Sequence, residues 1–320
     1  MKRYLITGGA GFIGSTLADK LIALGNEVVV IDNFNDYYDV NIKENNVKHH
    51  LNNPLYHLYR IDLCEEEKVN EVFDNHKIDV VIHLAARAGV RPSIDEPILY
   101  QMSNNVATNI LLEAARKHSV NKLVLASSSS VYGNNKKIPF SEDDPVDRAI
   151  SPYAASKKAN EVLGHVYHHL YNMNMIFLRF FTVYGPRQRP DLAINKFTKA
   201  IREGKEITLF GDGTTSRDYT YVDDIVSGIL GSINYLFEHE KVYEIINLGG
   251  DEPITLMRMV HTIEEALGKK AIIKYLPMQP GDVDRTCADI SKARRLLGYD
   301  PKTSFEEGIR KYIEWSKEVR

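Results

Sequence analysis

Tyr153 and Lys157 stand four residues apart in the segment Ser151-Pro152-Tyr153-Ala154-Ala155-Ser156-Lys157. On a helix this spacing puts both side chains on one face. Ser151-Pro152 reads as an N-cap followed by a first helical residue. Ala159, Val162, Leu163, Val166, Tyr167 and Leu170 then recur at helical spacing. A phenol titrates near ~10 and is a poor base at neutral pH, whereas a neighbouring ammonium favours the phenolate. In isolation, a Tyr-x-x-x-Lys pair is ordinarily a solvated helix face. Its chemistry depends on what else converges on it.

Two other features do. Thr7-Gly8-Gly9-Ala10-Gly11-Phe12-Ile13-Gly14 follows a short apolar run. Glycines 9, 11 and 14 fit G-x-G-x-x-G, and glycines 8, 11 and 14 fit a tighter G-x-x-G-x-x-G. Such a loop lets backbone approach a pyrophosphate at a helix N-terminus. Asp32 closes the next apolar run, where a carboxylate can take both hydroxyls of an adenosine ribose. Asn33 and Phe34 follow it, with no arginine to receive a 2′-phosphate, so NAD is expected rather than NADP. Asp62 ends a third run, where it could reach an adenine or simply cap the turn. Ser127 to Ser130 form a four-serine run after a fifth apolar segment. In a doubly wound sheet, the carboxyl ends of the strands are where ligands bind.

The elements that must position these residues alternate. Strands are expected at Tyr4-Leu5-Ile6, Glu27 to Ile31, Leu58 to Ile61, Asp79 to His83, Lys122 to Ala126 and Met175 to Arg179, with helical patterns between most of them. That is an α/β class: a doubly wound parallel Rossmann sheet built of βαβ units. Leu17, Leu21 and Leu24 form one apolar stripe with Gly25 at the helix C-terminus. The Asn-rich stretch from Asn33 to Tyr56 reads as a long excursion. After Arg179 the rhythm changes, with Gly185-Pro186, Arg189-Pro190 and Gly211-Asp212-Gly213 as turns. Two domains are expected, 1–180 for the dinucleotide and a smaller α/β substrate domain over 181–320. A return of part of the latter onto the former stays open at this point.

Composition bounds the class. With 320 residues, 43% of them hydrophobic, core size is not limiting. Forty basic against forty-three acidic residues leave a formal charge of −3, which argues against a nucleic-acid or membrane-surface binder. Cys64 and Cys287 are far apart and suit a reducing compartment. Only Tyr4-Leu5-Ile6 follow Lys2 and Arg3 before Thr-Gly-Gly, too short a run for a signal-peptide core, and no other apolar run approaches membrane length. A cytoplasmic enzyme is expected. His49-His50 and His168-His169 are adjacent pairs that cannot share one helix face, so they read as solvated and no metal is assigned.

With these residues in place, the chain resembles the extended short-chain dehydrogenase/reductase family, specifically its nucleotide-sugar 4-epimerases. The resemblance spans nearly the whole chain: TGGAGFIG at 7–14, HLAA at 83–86, ASSSSVYG at 126–133, SPYAASK at 151–157 and RDYTYVDD at 217–224. It implies that Tyr153 is the general base, that Lys157 orients it and binds the nicotinamide ribose, and that Ser128 bonds the sugar O4. The oxidised nicotinamide would further favour the phenolate. The implied cofactor-binding set is Gly8, Gly11, Phe12, Ile13, Gly14, Asp32, Asn33, Asp62, Leu63, Leu84, Ala85 and Ala86, together with Tyr153 and Lys157. Ser127, Ser129 and Ser130 are secondary candidates for the sugar.

Related 4,6-dehydratases carry Thr-Asp-Glu before the V-Y-G, and related decarboxylases a glutamate; here Ser128-Ser129-Ser130 stand instead. Without that acid and base for elimination, the implied reaction is 4-epimerisation through a 4-keto sugar, with NAD retained. RFFTVYGP at 179–186 with the following Arg189-Pro190-Asp191, NFNDYYD at 33–39, RAGVRPS at 87–93 and FSEDDPVD at 140–147 look like UDP-glucuronate 4-epimerases. UDP-glucose epimerases commonly have Asn at the Thr182 position. A hexuronate carries a carboxylate that a guanidinium can hold bidentately; Arg189 with Thr182, and then Arg91, are the candidates. The family's usual tryptophan-glycine is replaced by Arg187-Gln188, and Arg187, Arg189 and Arg217 are expected to face the ligand. Phe210 and Arg217 resemble the nucleotide-diphosphate segment, and Asp282 is a candidate for an arginine or the uridine ribose. The implied partners are a UDP-sugar and a second copy of the chain, packed through helices near 97–118 and 152–172. UDP-glucose 4-epimerisation is the rival reading, and a non-catalytic NAD-binding sensor is the alternative of another class.

Overall fold

A computed structural model of the chain describes residues 1–250, 252–277 and 285–318. Its strands are β1 (Arg3–Thr7), β2 (Glu27–Ile31), β3 (Tyr56–Tyr59), β4 (Val80–His83), β5 (Lys122–Ser128), β6 (Asn174–Phe180), β7 (Thr182–Tyr184), β8 (Glu206–Phe210), β9 (Ser216–Tyr221), β10 (Tyr243–Leu248), β11 (Pro253–Thr255) and β12 (Ile272–Leu276). Seven of them form a parallel sheet in the order β3-β2-β1-β4-β5-β6-β10. The order reverses between β1 and β4, which opens a crevice at their carboxyl ends. The helices are α1 (Phe12–Ala23), α2 (Val40–Val47), α3 (Glu66–Asn75), α4 (Val90–Asp95), α5 (Pro97–Tyr100), α6 (Ala107–Lys117), α7 (Pro152–Tyr171), α8 (Ala193–Glu203), α9 (Val222–Glu238), α10 (Leu256–Leu267), α11 (Ser291–Leu297) and α12 (Phe305–Glu318).

Strand residues alternate between two apolar layers. Tyr4, Ile6, Val28, Val30 and Ile82 point to one face with Leu17 and Leu21 of α1 and Ile225 and Ile229 of α9. Leu5, Val29, Val81 and Leu123 point to the other, against Val69 and Phe73 of α3 and Leu111 and Leu112 of α6. Burial on both faces explains why these strands read as continuous apolar runs. Each such side chain contributes roughly 1.5–3 kcal/mol on burial. Leu24 caps α1, with Gly25 at φ +75°, as its position after the apolar stripe requires.

Two local expectations are revised. β3 begins at Tyr56, two residues before the run read from the sequence, because Tyr56 pairs with Val28. The excursion after Asn33 contains α2, capped by Asp39, whose side chain accepts from Asn41 N at 3.0 Å. Its composition hid it, since its buried residues are Lys43, Asn46 and Val47. β10, from the later part of the chain, pairs with β6 from Tyr243–Met175 to Leu248–Phe180 and so belongs to the large sheet. A β11-β9-β7 sheet and a β12-β8 pair stand beside it.

Candidate active site

Ser151 caps α7, its Oγ accepting from Ala154 N at 3.1 Å, and Pro152 is the first helical residue. This fixes Tyr153 and Lys157 on the first turns, beside the end of β5. Lys157 is buried, and its Nζ donates to the Ala126 carbonyl at 2.9 Å. Burial pulls its pKa down to about 8. The half-buried Tyr153 side chain stands beside Ser128 on the cleft wall. Desolvation raises this phenol above its ordinary value. The lowering expected from Lys157 is not found in the chain alone, where burial dominates and the groups that oppose it are Ser128 and Arg189.

The serine run divides by role. Ser128 Oγ accepts from Ser130 N at 3.1 Å and is bonded with Ser130 Oγ at 2.9 Å. Ser127 instead donates to Glu161 Oε1 at 2.7 Å, within a buried ion pair between Glu161 and Arg179. It anchors β5 to α7.

At the glycine loop, a Cβ on Gly14 would overlap the Gly8 carbonyl oxygen and lie 2.8 Å from Gly9 Cα. A Cβ on Gly8 would lie 2.8 Å from Ala85 N. The loop is thus pressed against the Leu84–Ala86 turn. Gly11 is the N-cap of α1 and has no side-chain cap; a Cβ there would meet only Gly8 O at 3.2 Å and otherwise open space. That bare helix start fits a pyrophosphate. Asp32 accepts from Ala10 N at 3.1 Å and Phe34 N at 2.9 Å, which holds its carboxylate at the groove. Asp62 accepts from Cys64 N at 2.8 Å and from Asn33 Nδ2 at 2.7 Å, so it performs the capping role while lining the same groove. The residues present fit a dinucleotide.

Glycines 8, 11 and 14, Phe12, Ile13, Asp32, Asn33, Asp62, Leu63, Leu84, Ala85, Ala86, Arg91, Ser128, Ser129, Ser130, Tyr153, Lys157, Thr182, Arg189 and Arg217 all line one cleft of about 880 Å³. Phe210 lines an adjoining cavity of about 500 Å³, which shares Arg91, Asp191, Lys196 and Arg217 with the cleft. The Arg91 guanidinium lies 5.7 Å from the Phe210 ring centre. Asp282 lies outside the described residues.

Arg189 forks onto Asp191, Nε to Oδ1 at 2.9 Å and an Nη to Oδ2 at 2.8 Å. Arg187 does not face the cleft as expected. It adopts φ +66° after Gly185-Pro186 and pairs with Asp19 of α1 at 2.7 Å. The left-handed residue reverses the side-chain direction between positions 187 and 189. His49 and His50 do not point apart into solvent either; a tight helical turn brings both to Asp19.

Sequence reasoning missed Lys43, which lies 3.6 Å from Asp32 and donates to Asn35 O at 3.1 Å. It also missed Lys196 and Tyr37 of the cleft wall. Lys43 and Tyr37 lie in or just beyond the NFNDYYD segment, the one signal available.

The model of the GDP-mannose 4,6 dehydratase family matches residues 5–312. The chain belongs to that family. It is 46% identical over 319 residues to a UDP-glucuronate 4-epimerase of Thermodesulfobacterium geofontis, covering 99% of this chain and 97% of that one. It is 40% identical over 329 residues to a probable UDP-glucuronate 4-epimerase of Rhizobium meliloti, covering 98% and 96%. Among solved structures, UDP-glucuronic acid 4-epimerase from Bacillus cereus, in complex with UDP-glucuronic acid and NAD, superposes with a TM-score of 0.93 at 36% identity over 99% of this chain and 100% of that one. UDP-glucose 4-epimerase from Thermotoga maritima gives 0.89 at 33%, with 99% of both chains covered.

Proposed function

We propose that this family member is an NAD-dependent 4-epimerase that interconverts UDP-glucuronate and UDP-galacturonate. The observation that carries the reading is the meeting of three groups on one cleft: the Tyr153 phenol, the Ser128 hydroxyl and the Arg189 guanidinium. Relatives of matching length named for this reaction support it. NAD, when bound, supplies a reversible hydride acceptor.

The chain's own residues do the rest. Ser128 holds the sugar O4 beside Tyr153, which removes the O4 proton and later returns it. Lys157 fixes the α7 end of the site through Ala126 and places a positive charge near the phenol and a ribose. Ser129 and Ser130 offer hydroxyls, not the acid–base pair needed for elimination, to the sugar. Arg217 and Phe210 bracket the nucleotide diphosphate, and Arg189 with Thr182 meets the sugar carboxylate. Residues 1–180 serve mainly the dinucleotide and 181–320 mainly the sugar nucleotide.

UDP-glucose is the second reading, favoured by one observation: Arg189 is already neutralised by Asp191. A hexuronate must share that guanidinium or displace Asp191, whereas a neutral hexose need not. Parallel assays of both UDP-sugars decide it. Faster turnover of UDP-glucose would replace the proposal.

Among the described residues no helix is long and apolar enough to cross a membrane. A homodimer is also proposed. Val162, Val166 and Leu170 make an exposed stripe along α7, and Ile98 and Met102 extend it from α5 onward. An apolar face of this kind on two packed helices suits a second copy of the chain.

A further inference from the structure

Asp19 receives two imidazoles on a single oxygen. His49 Nε2 lies 2.9 Å and His50 Nε2 2.7 Å from its Oδ1. The two rings are 4.0 Å apart, and Tyr56 stacks on His50 at 5.2 Å, which limits its rotation. The other oxygen, Oδ2, takes the Arg187 guanidinium at 2.7 Å. Nothing in the proposed epimerisation uses this group of side chains. None of its four members lines the cleft.

Two imidazole nitrogens and a carboxylate oxygen form a donor set that suits a borderline divalent cation such as Zn2+ or Co2+. The three ligand atoms lie within 4.8 Å of one another. Turning each ring nitrogen from donor to lone-pair ligand requires the other tautomer, and admitting the ion requires the rings to draw back from Oδ1 by roughly half an ångström. We propose that Asp19, His49 and His50 bind a divalent transition-metal ion, in competition with Arg187 for the Asp19 carboxylate.

The competition follows from what holds Arg187. Its backbone is left-handed, and its buried Nη1 has no hydrogen-bond partner. Both are unfavourable. The Asp19 ion pair offsets them. A dication on Oδ1 withdraws charge from that pair, and the guanidinium in turn opposes the ion.

A second trio, Glu27, His57 and His76, provides an internal control. It is less convergent: Glu27 Oε2 is held by Arg3 at 2.6 Å, and His76 Nδ1 is 3.9 Å from Glu27 Oε1.

The test is a titration of chelator-treated, full-length protein with Co2+, read by visible absorption and by calorimetry. The expected result is one equivalent with ligand-field bands of low coordination, lost in His49→Ala and His50→Ala and retained in His57→Ala. Arg187→Ala should tighten binding roughly fivefold, as expected for removing one partly exposed ion pair. Because His49 and His50 border solvent, their alanine variants should melt within a few degrees of the parent. Three results would overturn the proposal. They are binding no tighter in the parent than in the His49/His50 double variant, bands lost with His57 instead, or an affinity unchanged by Arg187→Ala.

Discussion

Arg179 and Glu161 face each other at 2.9 Å with both side chains wholly buried, joining β6 to α7 behind the candidate base. The same guanidinium donates to Tyr132 OH at 3.0 Å, and that hydroxyl donates to Asn247 Oδ1 at 2.7 Å. The guanidinium holds the Glu161 carboxyl below its ordinary range despite burial. Glu161→Ala would leave a buried arginine uncompensated, a loss of roughly 3–5 kcal/mol. Urea unfolding should show it, and the Glu161→Met/Arg179→Met double variant should recover most of the loss. Equal loss in the single and double variants would refute the uncompensated-charge account.

Tyr153→Phe removes one hydroxyl and little packing. Turnover of UDP-glucuronate should fall by roughly 10²–10⁴-fold, the range for a positioned general base. Bound nucleotide, measured after denaturation, should stay at the parent stoichiometry. A rate within a factor of a few of the parent removes Tyr153 from the proton transfer.

The sign of the Lys157 effect is fixed by its lowered pKa. Below about pH 8 the ammonium is present both in the folded and in the unfolded chain. Between about pH 8 and the ordinary lysine value the folded chain has shed a proton that the unfolded chain keeps. Stability therefore rises there by up to roughly 1.4 kcal/mol per pH unit from this group. The parent should gain on Lys157→Met as pH is raised through this window. Unfolding curves for the two that stay parallel from pH 7 to about 10 would contradict the shift.

Arg189→Ala should raise KM for UDP-glucuronate by roughly 10–100-fold, the equivalent of a charged hydrogen bond, and change KM for UDP-glucose little. A 4-keto uronate is a β-keto acid, so looser carboxylate placement should also increase UDP-pentose formation. Equal effects on both sugars would move Arg189 from recognition to loop structure.

Val166→Glu puts a charge in the middle of the exposed α7 stripe. Light scattering should find the parent at twice the chain mass and the variant at one. A parent of single-chain mass at micromolar concentration rules out the proposed pairing.

Local chemistry made much of the site legible in the sequence. The Gly8–Gly14 turn, the Ser151 cap and the Tyr153–Lys157 spacing depend on residues within one turn of each other, so pattern and geometry coincide. Directions set by distant contacts were not legible. Arg187 meets Asp19 of α1, far back in the chain, whereas its near neighbour Arg189 pairs locally with Asp191. α2 escaped notice because it buries a lysine and an asparagine. Lys43 could be assigned to Asp32 only after α2 had been placed over the loop. β10 reads as one more apolar segment until its pairing with β6 is seen.

That pairing has a consequence for how the protein is made. On the ribosome, β6 emerges more than sixty residues before the strand that covers its edge. At roughly 5–20 residues per second, the nascent sheet waits several seconds with a row of unpaired amides and carbonyls exposed. The half of the molecule that carries Tyr153 and Lys157 thus has its sheet edge covered only once β10 has been made. Cutting the chain after residue 180 leaves an apolar strand open to any passing neighbour, and chaperone dependence should be concentrated in that interval of synthesis.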